Sequence, residues 1–129
     1  MKFAYTILYV SSVPRAMAFY EGALGLTRRM LHESETYGEM DTGGTVLAFY
    51  EMQQAQANFT FPIGDVNPAG PPPPVEIAFA TDDVDAAYTH AVQSGALAVS
   101  PPHQMPWGQT VAYIRDQDGF LIEICTPMG

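Results

Sequence analysis

The chain predicts an α+β fold: two tandem β-α-β-β-β modules whose strands build a curled mixed sheet around a cleft. Three observations carry that prediction. They are an internal repeat, one capped helix pattern in each half, and a carboxylate lodged in an apolar strand of the second half on two occasions. The segment FPIGDVNPAGPPPP, residues 61–74, separates the halves. Its four consecutive prolines neither continue a helix nor donate ladder hydrogen bonds, so it reads as an extended connector. Residues 1–60 form the first module and 75–129 the second, within a single domain. Shifted by 71 residues, Val13 falls on Val84, Ala16 on Ala87 and Tyr5 on Glu76. This is a duplication and not a solenoid, which needs at least three units.

Each half opens with a strand, residues 3–10 and 75–81, rich in β-branched and aromatic side chains. Helix starts follow at Ser12 and Asp83, whose side chains suit the N-cap, and Pro14 sits in a first turn where its missing N–H is harmless. Val13, Met17 and Tyr20 share one helical face, as do Val84, Tyr88 and Ala91. Gly22 and Gly95 read as helix stops. Three strands complete each half. They are LTRRMLH, TYGEM and TVLAFYE around a DTGG turn, then LAVS, QTVAYI and FLIEIC around a DQDG turn.

Composition excludes several roles. Fourteen acidic against five basic residues, net −9, leave no clustered Lys and Arg for nucleic-acid phosphates. No apolar run approaches the roughly 20 residues of a membrane helix. No signal peptide is visible at MKFAYTILYV, and the single cysteine, Cys125, allows no internal disulfide, so a cytoplasmic location is expected.

The carboxylates direct attention to function. FLIEICT and VEIAFAT are apolar at both parities except for Glu123 and Glu76. One helix per module covers one sheet face, and the bulky Ile77, Phe79, Ile122 and Ile124 take that parity. Glu76, Ala78 and Ala80, with Leu121, Glu123 and Cys125, then line the other face, as do Tyr5, Ile7 and Tyr9 of the first strand. An unpaired buried carboxylate is costly, so the two glutamates need a partner, water or a ligand. Placed close together they would share a proton and could hold a cationic group, act as general acid and base, or persist as a hydrogen-bonded relic. Arg28 and Arg29 alternate faces, and one of them could neutralise a cleft carboxylate.

The paired modules, the helix pattern VPRAMAFYEGALGL and the ending DQDGFLIEICTP resemble the vicinal oxygen chelate superfamily of glyoxalases, extradiol dioxygenases and bleomycin-resistance proteins. The resemblance implies four metal-ligand positions, here Tyr5, Ala48, Glu76 and Glu123. Ala48 has no donor and a tyrosine phenol keeps its proton at neutral pH, so only the two glutamates remain as metal ligands. No cofactor is therefore expected, although a divalent metal held by Glu76 and Glu123 stays open. The resemblance also implies a homodimer and a small-molecule ligand, planar or cationic. Its candidate contacts are Tyr5, Tyr9, Ala48, Tyr50, His103 and Trp107, because PWGQ is similar to a loop that stacks planar ligands in bleomycin-resistance proteins. Glu123 and Glu76 are the catalytic candidates. The alternative function is a divalent-metal-dependent lyase or isomerase of glyoxalase type, with His103, in the loop at residues 100–109, as a further donor. His90 and His32 read as surface residues and Cys125 as inert packing.

Overall fold

Among the described residues eight strands and three helices follow one another, and the order β-α-β-β-β occurs twice. A computed structural model describes residues 1–128. It shows β1 (Tyr5–Val10), α1 (Val13–Leu24), β2 (Thr27–Leu31), β3 (Tyr37–Asp41), β4 (Val46–Glu51) and α2 (Met52–Gln56). Then come β5 (Glu76–Ala80), α3 (Val84–Gln93), β6 (Leu97–Gln104), β7 (Thr110–Arg115) and β8 (Leu121–Cys125). The chain divides into two units, Met1–Asp65 and one beginning at Val66. Val13 and Val84, equated by the 71-residue shift, both open helices.

In the first unit the sheet order is β1-β4-β3-β2, with β1 parallel to β4 and the other pairs antiparallel. The crossover helix α1 makes the parallel pair possible. Ser12 caps it by accepting from the Arg15 N–H at 3.3 Å. The helix runs through Gly22 and stops at Gly25, whose φ of 68° only glycine adopts without cost. The expected stop at Gly22 is thus three residues early. The Gly25 N–H bonds to the Glu21 carbonyl and the Leu26 N–H to that of Tyr20, which closes the last turn. Val13, Met17 and Tyr20 are completely buried, and the Tyr20 ring lies 5.0 Å from that of Phe49 on β4. Each such burial stabilises by about 1.5–3 kcal/mol. The five-residue α2 is too short for a hydrophobic period, and the sequence did not announce it. It turns the chain over buried Ala55, and Gln56 holds the Phe61 carbonyl at 2.8 Å and the Ile63 N–H at 2.9 Å.

The second unit repeats the plan as β5-β8-β7-β6. Asp83 caps α3 by accepting from the Ala86 N–H at 3.0 Å, and Gly95, at φ 105°, follows its last turn as expected. Val84, Ala91, Ile114, Ile122 and Ile124 are buried. β6 departs from expectation, because it continues through Pro101 and Pro102 to Gln104. The prolines are tolerated because β6 is the edge strand and its register shifts twice around them. His103 therefore belongs to a strand, opposite Val111, and not to a loop.

Arg115, at the end of β7, is buried and ties the proline-rich segment to this unit. Its guanidinium donates to the carbonyls of Gly119 at 2.8 Å, Asn67 at 2.9 Å, Gly70 at 2.6 Å and Pro68 at 3.2 Å. Gly119 has φ 111°, and a Cβ there would stand 2.8 Å from the Arg115 Nη2. No described helix is long and apolar enough to cross a membrane.

Candidate functional site

Strand register brings the two glutamates together in the second unit. Ala78 on β5 faces Glu123 on β8, which faces Tyr113 on β7, so Glu76, Glu123 and Tyr113 share the sheet face opposite Ile122 and Ile124. Glu123 is the acceptor at the centre of this group. The Tyr113 hydroxyl donates to its Oε1 at 3.0 Å, and the Glu123 charge also bears on Glu76 and on the Cys125 thiol. Neighbouring carboxyl groups disfavour each other's charge, and here a proton is favoured on Glu76. Burial of the carboxyl, the bond to Glu123 and the Glu123 charge all push Glu76 above the ordinary glutamate value. Burial and the same carboxylate raise Tyr113 to about 12 and push the Cys125 thiol up, so both stay protonated donors. The thiol is buried and protonated, which makes it a packing residue. Among the described residues neither Glu76 nor Glu123 forms an ion pair with a Lys or Arg.

The first unit arranges its corresponding face differently. Tyr9, Tyr50 and Tyr37 lie in register across β1, β4 and β3, with ring centroids 6.1 and 6.2 Å apart and edges turned to faces. The next row is Ile7, Ala48 and Glu39. Ala48 is completely buried, while Tyr5 and Ile7 are exposed. The Glu39 carboxylate is already committed: the Tyr37 hydroxyl donates to Oε2 at 2.7 Å, and the Arg29 Nε lies 3.4 Å from Oε1. Arg28 points to the other face and pairs with Glu21 of α1 at 2.8 Å. The alternation expected for the two arginines is present, and the carboxylate that Arg29 meets is Glu39.

The remaining candidates are spread out. His103 is exposed on β6, its Nδ1 2.9 Å from the Pro101 carbonyl oxygen and 3.4 Å from the Ser100 hydroxyl. Trp107 is exposed in the β6–β7 turn. His90 and His32 are exposed, and the His32 Nδ1 lies 2.7 Å from the Ser34 hydroxyl. Sequence reasoning missed Tyr113, Tyr37 and Glu39. Tyr113 stands in QTVAYI with no mark of its own, and only the pairing of β7 with β8 puts it opposite Glu123.

The donor set does not fit a metal centre of the kind the resemblance implies. Ala48 offers nothing, the carboxylate beside it belongs to Tyr37 and Arg29, and Glu123 accepts from the Tyr113 hydroxyl. Among the described residues no three His, Cys, Asp or Glu side chains gather where they could hold an ion.

Comparisons with known proteins agree with the architecture. The chain superimposes on a glyoxalase-related enzyme from Fulvimarina pelagi with a TM-score of 0.85 at 20% identity, over 100% of this chain and 93% of that one. A protein of unknown function from Agrobacterium tumefaciens gives 0.80 at 25% identity, over 99% and 95%. A glyoxalase/bleomycin resistance protein/dioxygenase family enzyme from Burkholderia phytofirmans gives 0.77 at 18%, over 99% and 100%. No match was found among curated proteins. The family model of these folds matches residues 2–124, and the chain belongs to the Glyoxalase/Bleomycin resistance protein/Dioxygenase superfamily.

Proposed function

We propose that this protein binds a small, planar, cationic organic molecule and does so without a catalytic metal. One observation carries the reading: Glu76 and Glu123 share a sheet face and bear negative charge that no lysine or arginine among the described residues neutralises. A cationic group approaching that face gains a charge-assisted hydrogen bond that no side chain of the protein already supplies. The exposed ring of Trp107, in the same unit as the two glutamates, is an apolar surface for a flat partner, with the exposed His103 as a further contact. The same acid–carboxylate pair has the form of a general acid and base, Glu76 giving a proton and Glu123 receiving one, should the ligand be turned over.

The reading includes a cytoplasmic homodimer. A single buried thiol suits a reducing compartment, and each four-stranded sheet ends in edge strands that can recruit a partner. A thermal-shift screen of planar cations, with wild type beside Glu76→Gln/Glu123→Gln, tests the proposal, since a ligand selective for the folded form raises its melting point. Binding that survives chelators and disappears in the double variant is the expected result. Stoichiometric zinc, nickel, manganese or iron in the purified protein, lost on Glu123→Gln, would replace this reading with the metal-dependent lyase or isomerase.

A further inference from the structure

Trp107 is the only tryptophan, and it leaves 61% of its surface in water at the β6–β7 turn. Its single polar atom is nevertheless engaged by the protein. The indole Nε1–H donates to the Gln109 Oε1 at 2.9 Å, and the Gln109 Nε2 donates to the Thr126 carbonyl at 2.7 Å. Thr126 is itself fixed to the start of β7, since the Thr110 N–H reaches its hydroxyl at 3.0 Å and its own N–H reaches the Thr110 carbonyl at 2.9 Å. The turn closes on itself through Met105 N–H to the Gln109 carbonyl at 2.8 Å and Gly108 N–H to the Met105 carbonyl at 2.9 Å, with Gly108 at φ 95°. A relay thus runs from the ring through one side chain to the backbone just beyond β8.

The consequence is chemical. An indole has one donor and no acceptor, so a ring whose N–H is spent on Gln109 has only its faces left to offer. Indole faces attract flat, electron-poor or positively charged groups. We propose that Gln109 is a positioning residue that fixes the Trp107 ring for stacking, so that the ligand met there is a flat cationic ring system needing no hydrogen bond from the indole. The ligand half of this inference rests on the proposed function; the positioning half does not.

Time-resolved anisotropy of the lone tryptophan reads the positioning half directly in the full chain without ligand. Gln109→Ala should enlarge the fast depolarising component, and Gln109→Glu, which keeps an acceptor for the indole but loses the donor to the Thr126 carbonyl, should restore only part of the slow one. Should Gln109→Ala not fold, Gln109→Met, of similar volume and without either polar group, replaces it. Methyl viologen, a flat dication that quenches indole on stacking, reads the ligand half. Its association constant should fall about fivefold in Gln109→Ala, the worth of one neutral hydrogen bond. Unchanged anisotropy in Gln109→Ala overturns the positioning role. Altered anisotropy with equal viologen affinity in all variants overturns the stacking assignment alone. Absence of viologen binding to wild type overturns the ligand class while leaving the ring's anchoring to the anisotropy result.

Discussion

Glu123 accepts from the Tyr113 hydroxyl, and burial together with the Glu123 charge pushes the Cys125 thiol and the Glu76 carboxyl up. Removing the hydroxyl alone, with Tyr113→Phe, should cost about 1.5 kcal/mol in urea denaturation, the range for a hydrogen bond to a charged acceptor. The proton between the glutamates gives a pH signature. Glu76 titrates higher in the folded chain than its ordinary 4.5, so the folded state holds that proton more tightly than the unfolded one. The resulting stabilisation is complete below 4.5 and is lost as pH rises through the raised value. Denaturation midpoints of wild type should therefore fall relative to those of Glu76→Gln as pH rises above 4.5. A difference that stays flat over this range would mean that the pair holds no shared proton. The two glutamates were legible in the sequence because a charge in an apolar strand stands out. Tyr113 and Glu39 were not, since each is unremarkable until a neighbouring strand's register is known.

At the scale of elements, the Arg115 guanidinium does what a short linker helix would otherwise do. It satisfies carbonyls of residues that include prolines, which cannot pair through their own N–H groups. Arg115→Ala removes four hydrogen bonds made by a buried side chain and should destabilise the protein by roughly 3 kcal/mol in chemical denaturation. Arg115→Lys keeps the charge but lacks the planar fork, so it should recover less than half of that loss. Gly119→Ala should also be destabilising, by about 1–3 kcal/mol, because the left-handed turn and the guanidinium both exclude a Cβ. Periodicity and caps gave the helices and most strands their places. Two boundaries escaped for physical reasons. Gly22 is tolerated inside α1 because the left-handed turn falls to Gly25, and the prolines of β6 are tolerated because an edge strand has N–H groups to spare.

Across the whole molecule, duplication explains both what the halves share and where they part. The helices, caps and strand orders repeat, and the 71-residue shift in the sequence was sufficient to foresee that. The chemistry does not repeat. Each unit keeps a tyrosine hydroxyl bonded to a carboxylate on its open sheet face, yet β4 carries Ala48 where β8 carries Glu123, and the first unit's carboxylate sits one strand over at Glu39. The first is neutralised by Arg29 and the second is not, which leaves the second unit as the attractive one for a cation. The most direct test of this account is calorimetric titration of chelator-treated protein with methyl viologen, wild type beside Glu76→Gln/Glu123→Gln. The account predicts saturable binding to the metal-free wild type and at least tenfold weaker binding to the double variant. Equal affinity for the two proteins, or binding that appears only after a divalent metal is restored, would contradict it.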